Sequence, residues 1–140
     1  MRAALVTLLL VMTASEAAAG SAVLDRDADG HWRAEGRVNG RKMELLVDTG
    51  ATMVALTPDD AKAAGIDVRT LDFDARVRTA SGTVRAALVT LERIQIGQVR
   101  VRDVEAMVIE RGLPVSLLGM SFLNRLEQFQ VRGQRLRLQD

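Results

Sequence analysis

The chain has 140 residues, enough for one domain with its own core and too few for two comfortable ones. Its 19 basic and 18 acidic side chains give a formal charge of +1, which argues against a nucleic-acid binder, since such proteins carry a strong basic excess. There is no cysteine, so disulfides and thiolate metal sites are excluded, and the single histidine argues against a histidine-based zinc centre.

The first 19 residues differ in composition from the rest. Arg2 precedes a largely apolar stretch from Ala3 to Met12, and the segment ends in Ala17-Ala18-Ala19. This order is typical of a secretory signal peptide. A membrane-spanning helix would need about 20 apolar residues, so the apolar stretch is too short to be predicted as one. We expect residues 1–19 to be a signal peptide cleaved after Ala19, or a short uncleaved anchor, and residues 20–140 to form the functional domain.

The same segment predicts where the protein works. Cleavage would release the domain outside the cytoplasm, which is the periplasm if the host is Gram-negative. An uncleaved segment would instead hold the domain at the inner membrane, facing the periplasm. Contact with a membrane is expected only in that second case.

The chain after Gly20 alternates apolar and polar residues between turn signals, a pattern typical of an all-β domain. Strands at Trp32–Val38 and Arg41–Val47 flank Asn39-Gly40, a strong hairpin signal because both turn residues tolerate positive φ.

A short helix is predicted after this hairpin. Thr57 can cap it, Pro58 suits its first position, Asp60 can close a capping box with Thr57, and Gly65 ends it.

The second half of the chain predicts further hairpins and one more helix. Strands are expected at Ala75–Thr79, Thr83–Ile96, Val99–Ile109, Val115–Leu118, Phe129–Val131 and Leu136–Leu138, with a helix at Met120–Leu126. Their turns lie at Ala80-Ser81-Gly82, Gly97-Gln98 and Gly133-Gln134.

Asp48 is the residue with the clearest chemical signal. It stands between apolar Leu45-Leu46-Val47 and Thr49-Gly50-Ala51, where a lone carboxylate is costly unless neighbours satisfy it. Two such turns related by a twofold axis would bring two aspartates within about 3 Å, where they cannot both ionise and share one proton. Such a pair can activate a water for attack on a peptide carbonyl.

Two other interpretations of these residues stay open. Asp-Thr-Gly is also a common turn after a strand. A serine hydrolase would have to use His31, which lies beside Asp29-Gly30 in a predicted turn, and the chain has no Gly-x-Ser-x-Gly elbow.

Three segments together resemble the retropepsin-like aspartic proteases, particularly small exported or membrane-anchored bacterial members. They are Val47-Asp48-Thr49-Gly50-Ala51-Thr52, Thr79-Ala80-Ser81-Gly82-Thr83 and Leu117-Leu118-Gly119-Met120-Ser121-Phe122-Leu123. The resemblance covers about Trp32 to Leu138. It implies a closed, barrel-like β lobe with one or two short helices, which forms a homodimer.

The resemblance also implies roles for individual residues. Asp48 is the expected catalytic carboxylate, supported by Thr49, Gly50 and Ala51 of its loop. The flap that closes over the substrate is expected at Ala80, Ser81 and Gly82. An apolar layer behind the active-site loop is expected at Leu117, Leu118 and Gly119.

This chain departs from the retroviral members at one position. They carry an arginine after the second glycine, where this chain has Met120, and Arg125 is the candidate to replace it in the dimer interface. The four-stranded terminal interface of the viral enzymes is not assumed.

The sequence therefore predicts an aspartic endopeptidase that acts on polypeptides through an Asp48 pair at a homodimer axis, with no metal or cofactor. The alternative is a dimeric peptide-binding or scaffolding module of the same fold with little catalysis. Near the predicted flap, Arg76, Arg78 and Arg85 are interpreted as one solvated strand face rather than a substrate-selecting patch.

Overall fold

The computed structural model describes residues 20–140 and confirms the all-β prediction. The strands are β1 (Ser21–Asp25), β2 (Arg33–Val38), β3 (Arg41–Val47), β4 (Val54–Leu56), β5 (Ala75–Thr79), β6 (Gly82–Ile96), β7 (Val99–Ile109), β8 (Ser116–Leu118), β9 (Gln128–Arg132) and β10 (Arg135–Gln139). The helices are α1 (Pro58–Ala63) and α2 (Met120–Leu123), with a 3₁₀ turn at Val68–Thr70. The predicted signal peptide lies outside the described residues and stays a prediction.

A closed barrel forms the body of the domain. Its strands follow the order β2-β3-β8-β4-β7-β6, and pairing of β2 with β6 closes the ring. Among the strands of residues 20–140, β5 pairs only with β6, and the two extend beyond the ring as a hairpin arm. The barrel prediction is thus confirmed.

The core follows from the two-residue alternation of the strands. Leu45 on β3, Leu56 on β4 and Leu91 on β6 are completely buried inside the barrel. Phe122 of α2, the largest fully buried side chain, packs into the same cluster. Burying a side chain of this size contributes about 1.5–3 kcal/mol, so the aliphatic core can hold the domain without disulfides.

The hairpin predicted at Asn39-Gly40 is confirmed. Asn39 has φ 50° and Gly40 has φ 83°, the positive values that a two-residue turn of this type requires. Asn39 also fixes the turn from outside, because its side-chain amide donates to the Ala64 carbonyl at 3.1 Å and its side-chain oxygen accepts from the Arg93 backbone N–H at 3.2 Å.

The first helix begins as predicted, but its capping box is not formed. Thr57 Oγ1 accepts from the Asp60 backbone N–H at 3.1 Å, as expected. The Asp60 carboxylate, however, accepts from the buried Ser116 hydroxyl at 2.5 Å instead of from Thr57. Ser116 Oγ in turn accepts from the Thr57 backbone N–H at 3.1 Å. A hydroxyl both donates and accepts, so Ser116 of β8 bridges the two groups and ties the helix start to the barrel.

Two strands were not predicted. β1 pairs with β10 in a separate three-stranded sheet, β1-β10-β9, so its partner lies at the far end of the described chain. β4 has only three residues, all buried, between β7 and β8. Neither strand has a local turn or a long alternation that would reveal it in the sequence.

The second helix is shorter than predicted. It covers Met120–Leu123 rather than Met120–Leu126. The chain continues in tight turns, since the backbone N–H of Arg125 donates to the Phe122 carbonyl and that of Leu126 to the Leu123 carbonyl. Within residues 20–140, no helix has the length and apolar character needed to cross a membrane.

Candidate active site

Asp48 follows the last residue of β3, at the point where the strand leaves the barrel. Its backbone N–H donates to the Leu118 carbonyl of β8 at 3.2 Å. Its carboxylate Oδ1 accepts from the Gly50 backbone N–H at 2.9 Å, and its own carbonyl accepts from Ala51 N–H at 3.2 Å. The side chain is half-buried. These bonds fix the carboxylate at the mouth of the barrel and leave its second oxygen without a partner among the described residues.

Parallel pairing of β3 with β8 positions this loop. Leu46 pairs with Leu117, and Val47 with Leu118, so the segment Leu117-Leu118-Gly119 runs directly beside the strand that carries Asp48. The Met120 backbone N–H at the start of α2 then donates to the Ala51 carbonyl at 2.8 Å.

Gly119 permits this close approach. A Cβ atom at this position would lie 2.2 Å from the Met53 carbonyl oxygen and 2.8 Å from the Ala51 carbonyl oxygen. Both neighbours are backbone atoms, so no side chain can move to make room. The loop that carries Asp48 therefore rests on a position that tolerates only glycine.

A cleft of about 620 Å³ opens beside Asp48. Its walls come from the Asp48 loop, from the β5–β6 hairpin, from β7 and from the loop before β8. The lining includes Asp48 and the apolar residues Val77, Met107 and Leu117. Asp48 is the only acidic residue of the described chain that lines this cleft.

The hairpin arm turns at Ala80-Ser81 over one side of the cleft. The Thr79 hydroxyl donates to the Gly82 carbonyl at 2.8 Å and accepts from the Ser81 backbone N–H at 3.3 Å. Gly82 has φ 119°, a conformation that L side chains rarely adopt. The tip is exposed, and its hydrogen bonds lie within the hairpin.

The structure brings most of the predicted site residues to this cleft. Those lining it are Asp48, Gly50, Ala51, Ala80, Ser81 and Leu117. Leu118 and Gly119 are buried behind it. Thr49 is exposed beside the loop, and Gly82 begins β6 outside the cleft lining. The roles assigned to these residues stay predictions.

A second serine, which the sequence analysis did not single out, supports the site. Ser121 Oγ accepts from the Val54 backbone N–H at 2.8 Å and donates to the Glu105 carbonyl at 2.6 Å. It thereby joins α2, β4 and β7 beneath the Asp48 loop. Only its position directly after Gly119-Met120 could have suggested such a role.

Arg125 is hydrogen-bonded within its own chain, and its predicted role in a dimer interface stays a prediction. Its guanidinium donates to the carbonyls of Asp103 at 3.3 Å and Arg102 at 3.1 Å within the same chain. No carboxylate among residues 20–140 forms an ion pair with it. The Arg125 side chain is therefore hydrogen-bonded to the backbone of β7.

The three arginines near the predicted flap are all exposed, and Arg76 lies opposite Arg85 in the β5–β6 register, in agreement with the predicted solvated strand face. Arg85 forms an ion pair with Glu110 at 2.6 Å, whereas Arg76 and Arg78 line the cleft. His31, the residue required by a serine-hydrolase interpretation, is exposed in a turn whose backbone N–H donates to Asp29 at 3.1 Å.

Comparison with known proteins assigns the fold. Residues 34–125 match the family described as "gag-polyprotein putative aspartyl protease". An uncharacterized protein encoded in the cobV 5′ region of a Sinorhizobium species is 44% identical over 119 residues, which cover 84% of this chain and 51% of that protein. The chain spans about half the length of the curated relatives it matches.

Solved structures give the same result. The crystal structure of a retropepsin-like aspartic protease from Rickettsia conorii is 36% identical, with a TM-score of 0.78, and the match covers 86% of this chain and 91% of that one. The EIAV protease complexed with the inhibitor HBY-793 is 18% identical, with a TM-score of 0.58 over 71% of this chain and 90% of that one, a likeness of fold. This chain belongs to the retropepsin-like aspartic protease family.

Proposed function

We propose that this protein is an endopeptidase whose catalytic centre is completed when two copies bring their Asp48 side chains together at a twofold axis. The observation that carries the proposal is the single carboxylate at the cleft. Asp48 is fixed at the mouth of the barrel by backbone hydrogen bonds, and no other acid of the described chain lines the cleft. One chain thus offers half of a dyad.

The local chemistry of Asp48 supports this role. The Gly50 N–H donates to one carboxylate oxygen, which orients the group, and the other oxygen is free to bind a water or a second carboxyl group. Two carboxylates about 3 Å apart cannot both ionise, so the pair shares one proton.

The reaction then follows from the shared proton. The ionised carboxylate takes a proton from a water as its oxygen attacks the peptide carbonyl carbon, while the protonated partner donates to the carbonyl oxygen. The C–N bond of the tetrahedral intermediate then breaks as the amide nitrogen receives a proton. General acid–base assistance of this kind contributes about 10²–10⁴-fold in rate.

The cleft supports a polypeptide as the substrate. It is open, has a volume of about 620 Å³ and combines an apolar floor, including Met107 and Leu117, with the exposed β5–β6 arm above it. An extended peptide can lie between floor and arm. We further propose that the domain works outside the cytoplasm, on the strength of the signal-peptide pattern in residues 1–19.

A pH profile tests the proposal. Residues 20–140 are incubated with an unfolded protein, and with a quenched peptide derived from its cleavage sites, between about pH 3 and pH 9. We expect a bell-shaped rate with its maximum on the acid side of neutrality, because activity is lost when the pair gains a second proton or loses its only one. A statine inhibitor of the pepstatin type should abolish cleavage.

Two results would oppose the mechanism. One is a rate that keeps rising to about pH 9, since a pair without its proton cannot protonate the carbonyl oxygen. The other is saturable peptide binding with no cleavage at any pH, the behaviour of a peptide-binding module of the same fold.

A further inference from the structure

We infer that the binding surface for the peptide continues beyond the cleft into a neighbouring groove, where Leu88 of β6 contacts an apolar substrate side chain away from the cleaved bond. This inference names a specificity-determining residue of the proposed peptidase site and therefore rests on the proposed function. Its carrying observation is an exposed leucine directly opposite a residue of the cleft floor.

The pairing of β6 with β7 places Leu88 beside the cleft. Leu88 lies directly opposite Met107 in the antiparallel register, and Ala86 lies opposite Ile109. Side chains of directly opposed residues project from the same face of a sheet, with Cβ atoms about 4.5–5.5 Å apart. Met107 and Ile109 both line the cleft. The Leu88 side chain therefore projects from the face of the sheet that forms the cleft wall.

Leu88 is the member of this face that the described chain does not cover. Ala86 and Ile109 are buried and Met107 is half-buried, whereas Leu88 is 61% exposed, the largest exposed fraction among the large apolar residues of the part of the chain that the structure describes. The hairpin arm does not reach it, since Ala86 is the last residue of β6 that pairs with β5.

A groove of about 230 Å³ adjoins the cleft at this point. We call it the outer groove, and its lining residues are Met53, Leu88, Val89, Thr90, Glu105 and Ala106. Met53 lines both the outer groove and the cleft. A peptide can therefore extend from the cleft into the outer groove along one continuous surface.

The chemistry of the outer groove favours an apolar side chain. Leu88 and the half-buried Met53 supply apolar surface, and the unbranched methionine can adapt to the shape of a ligand. Glu105, opposite Thr90 in the register, is the only charged residue of the described chain that lines the groove, and it forms no ion pair within residues 20–140. Its carboxylate would repel an acidic substrate side chain.

The strand order places the outer groove away from the cleaved bond. Asp48 follows β3, and in the order β3-β8-β4-β7-β6 the strand that carries Leu88 lies one position beyond β7. Neighbouring strands are about 4.8 Å apart, and same-face side chains of an extended peptide repeat about every 6.4–6.8 Å. Leu88 does not line the cleft itself. The side chain that it contacts therefore lies outside the two residues that flank the cleaved bond.

Matched peptides test the inference. Starting from a peptide that the protein cleaves, two versions are made that differ only in Leu or Asn, side chains of similar size, at one position scanned outward along each side of the cleaved bond. We expect kcat/KM to be about three- to ten-fold higher for the Leu version at its best position, because an open groove reaches at most the low end of what an enclosed apolar pocket contributes. The preference should persist at high salt, which screens charges.

The proposed dimer adds a second expectation. Two copies related by a twofold axis each supply one Leu88, so the preference should appear at equivalent positions on both sides of the cleaved bond.

Variants then assign the effect to Leu88. L88Q should bring the Leu-to-Asn ratio close to one, mainly through a lower rate for the Leu peptide, and L88M should keep the preference because methionine restores a long apolar side chain. V23Q is the matched control and should keep the wild-type ratio, because Val23 on β1 is also exposed and lines neither the cleft nor the outer groove. If L88Q keeps the wild-type ratio, or dissociates a dimer and lowers both rates equally, Leu88 does not contact the substrate and the inference is wrong.

A binding measurement separates this inference from the proposed function. Both peptides are titrated into D48N protein, which should bind but not cleave. If wild-type protein cleaves both peptides equally at every position, the inference is wrong and the peptidase proposal stands. If nothing is cleaved but D48N binds the Leu peptide more tightly and D48N/L88Q does not, the inference stands and the peptidase proposal is wrong. Equal binding with no cleavage contradicts both.

Discussion

Asp48→Asn is expected to lower kcat/KM by about 10²–10⁴-fold, the range that general acid–base catalysis contributes. The amide keeps the size of the side chain and can still accept from the Gly50 N–H, which is 2.9 Å from Oδ1 in the structure. It cannot take a proton from the attacking water. Stability should change little, because the side chain is half-buried and makes only this one hydrogen bond among the described residues.

Asp72→Asn is the matched control for this experiment. Asp72 is exposed, forms no ion pair among residues 20–140 and does not line the cleft. The activity and the unfolding midpoint of the Asp72→Asn variant should equal those of the wild type. If the Asp48 variant cleaves peptide at the wild-type rate, with contaminating proteases excluded, then Asp48 is not the catalytic carboxylate.

Gly119→Ala is expected to destabilise the domain by about 3 kcal/mol, the upper end of the usual cost of overpacking. The new Cβ would lie 2.2 Å from the Met53 carbonyl oxygen, and relief requires movement of the backbone that carries the Asp48 loop. Peptide cleavage should therefore fall as well, and it should fall even under conditions in which the variant is still folded. Urea unfolding followed by circular dichroism measures the first effect, and the peptide assay measures the second.

Gly133→Ala separates packing from backbone strain. Gly133 has φ 59°, and a Cβ there would meet nothing within 4 Å, so only the left-handed backbone is penalised, by about 1–2 kcal/mol. Its activity should stay at the wild-type level under folding conditions. Equal stability of the two alanine variants would show that the close approach at Gly119 does not hold the active-site loop.

Local turn chemistry made much of the fold predictable. Asn39-Gly40 needs no distant partner to form its hairpin, and its positive φ angles follow from the two residue types. The opposite holds for β1, whose partner β10 lies at the other end of the described chain, and for β4, whose three residues are too few to show a period. Pairing over such distances leaves no local mark in a single sequence.

The site was predictable to a similar degree. Asp48 stands out in the sequence because a carboxylate among apolar residues is costly unless neighbouring groups satisfy it. The walls of its cleft could not be predicted, because they come from strands that are distant in the sequence. Arg76, Arg78 and Arg85 were predicted to share one solvated strand face, and alternation along the strands was enough for this prediction, since all three are exposed and Arg76 lies opposite Arg85. Ser116 shows the same limit as the cleft walls, since its bridge between Thr57 and Asp60 depends on β8 lying beside α1.

Mixing of wild-type and D48N chains tests most directly whether two chains share one catalytic centre. A fixed amount of wild-type protein is combined with increasing D48N protein, and cleavage is measured after exchange. Random pairing places about half of the wild-type chains in mixed dimers at a one-to-one ratio, so activity per wild-type chain should fall by about half, and to about a tenth at a nine-fold excess. Activity that is unchanged by the excess, in a protein that sediments as a monomer and keeps its specific activity on dilution, would contradict the shared Asp48 pair.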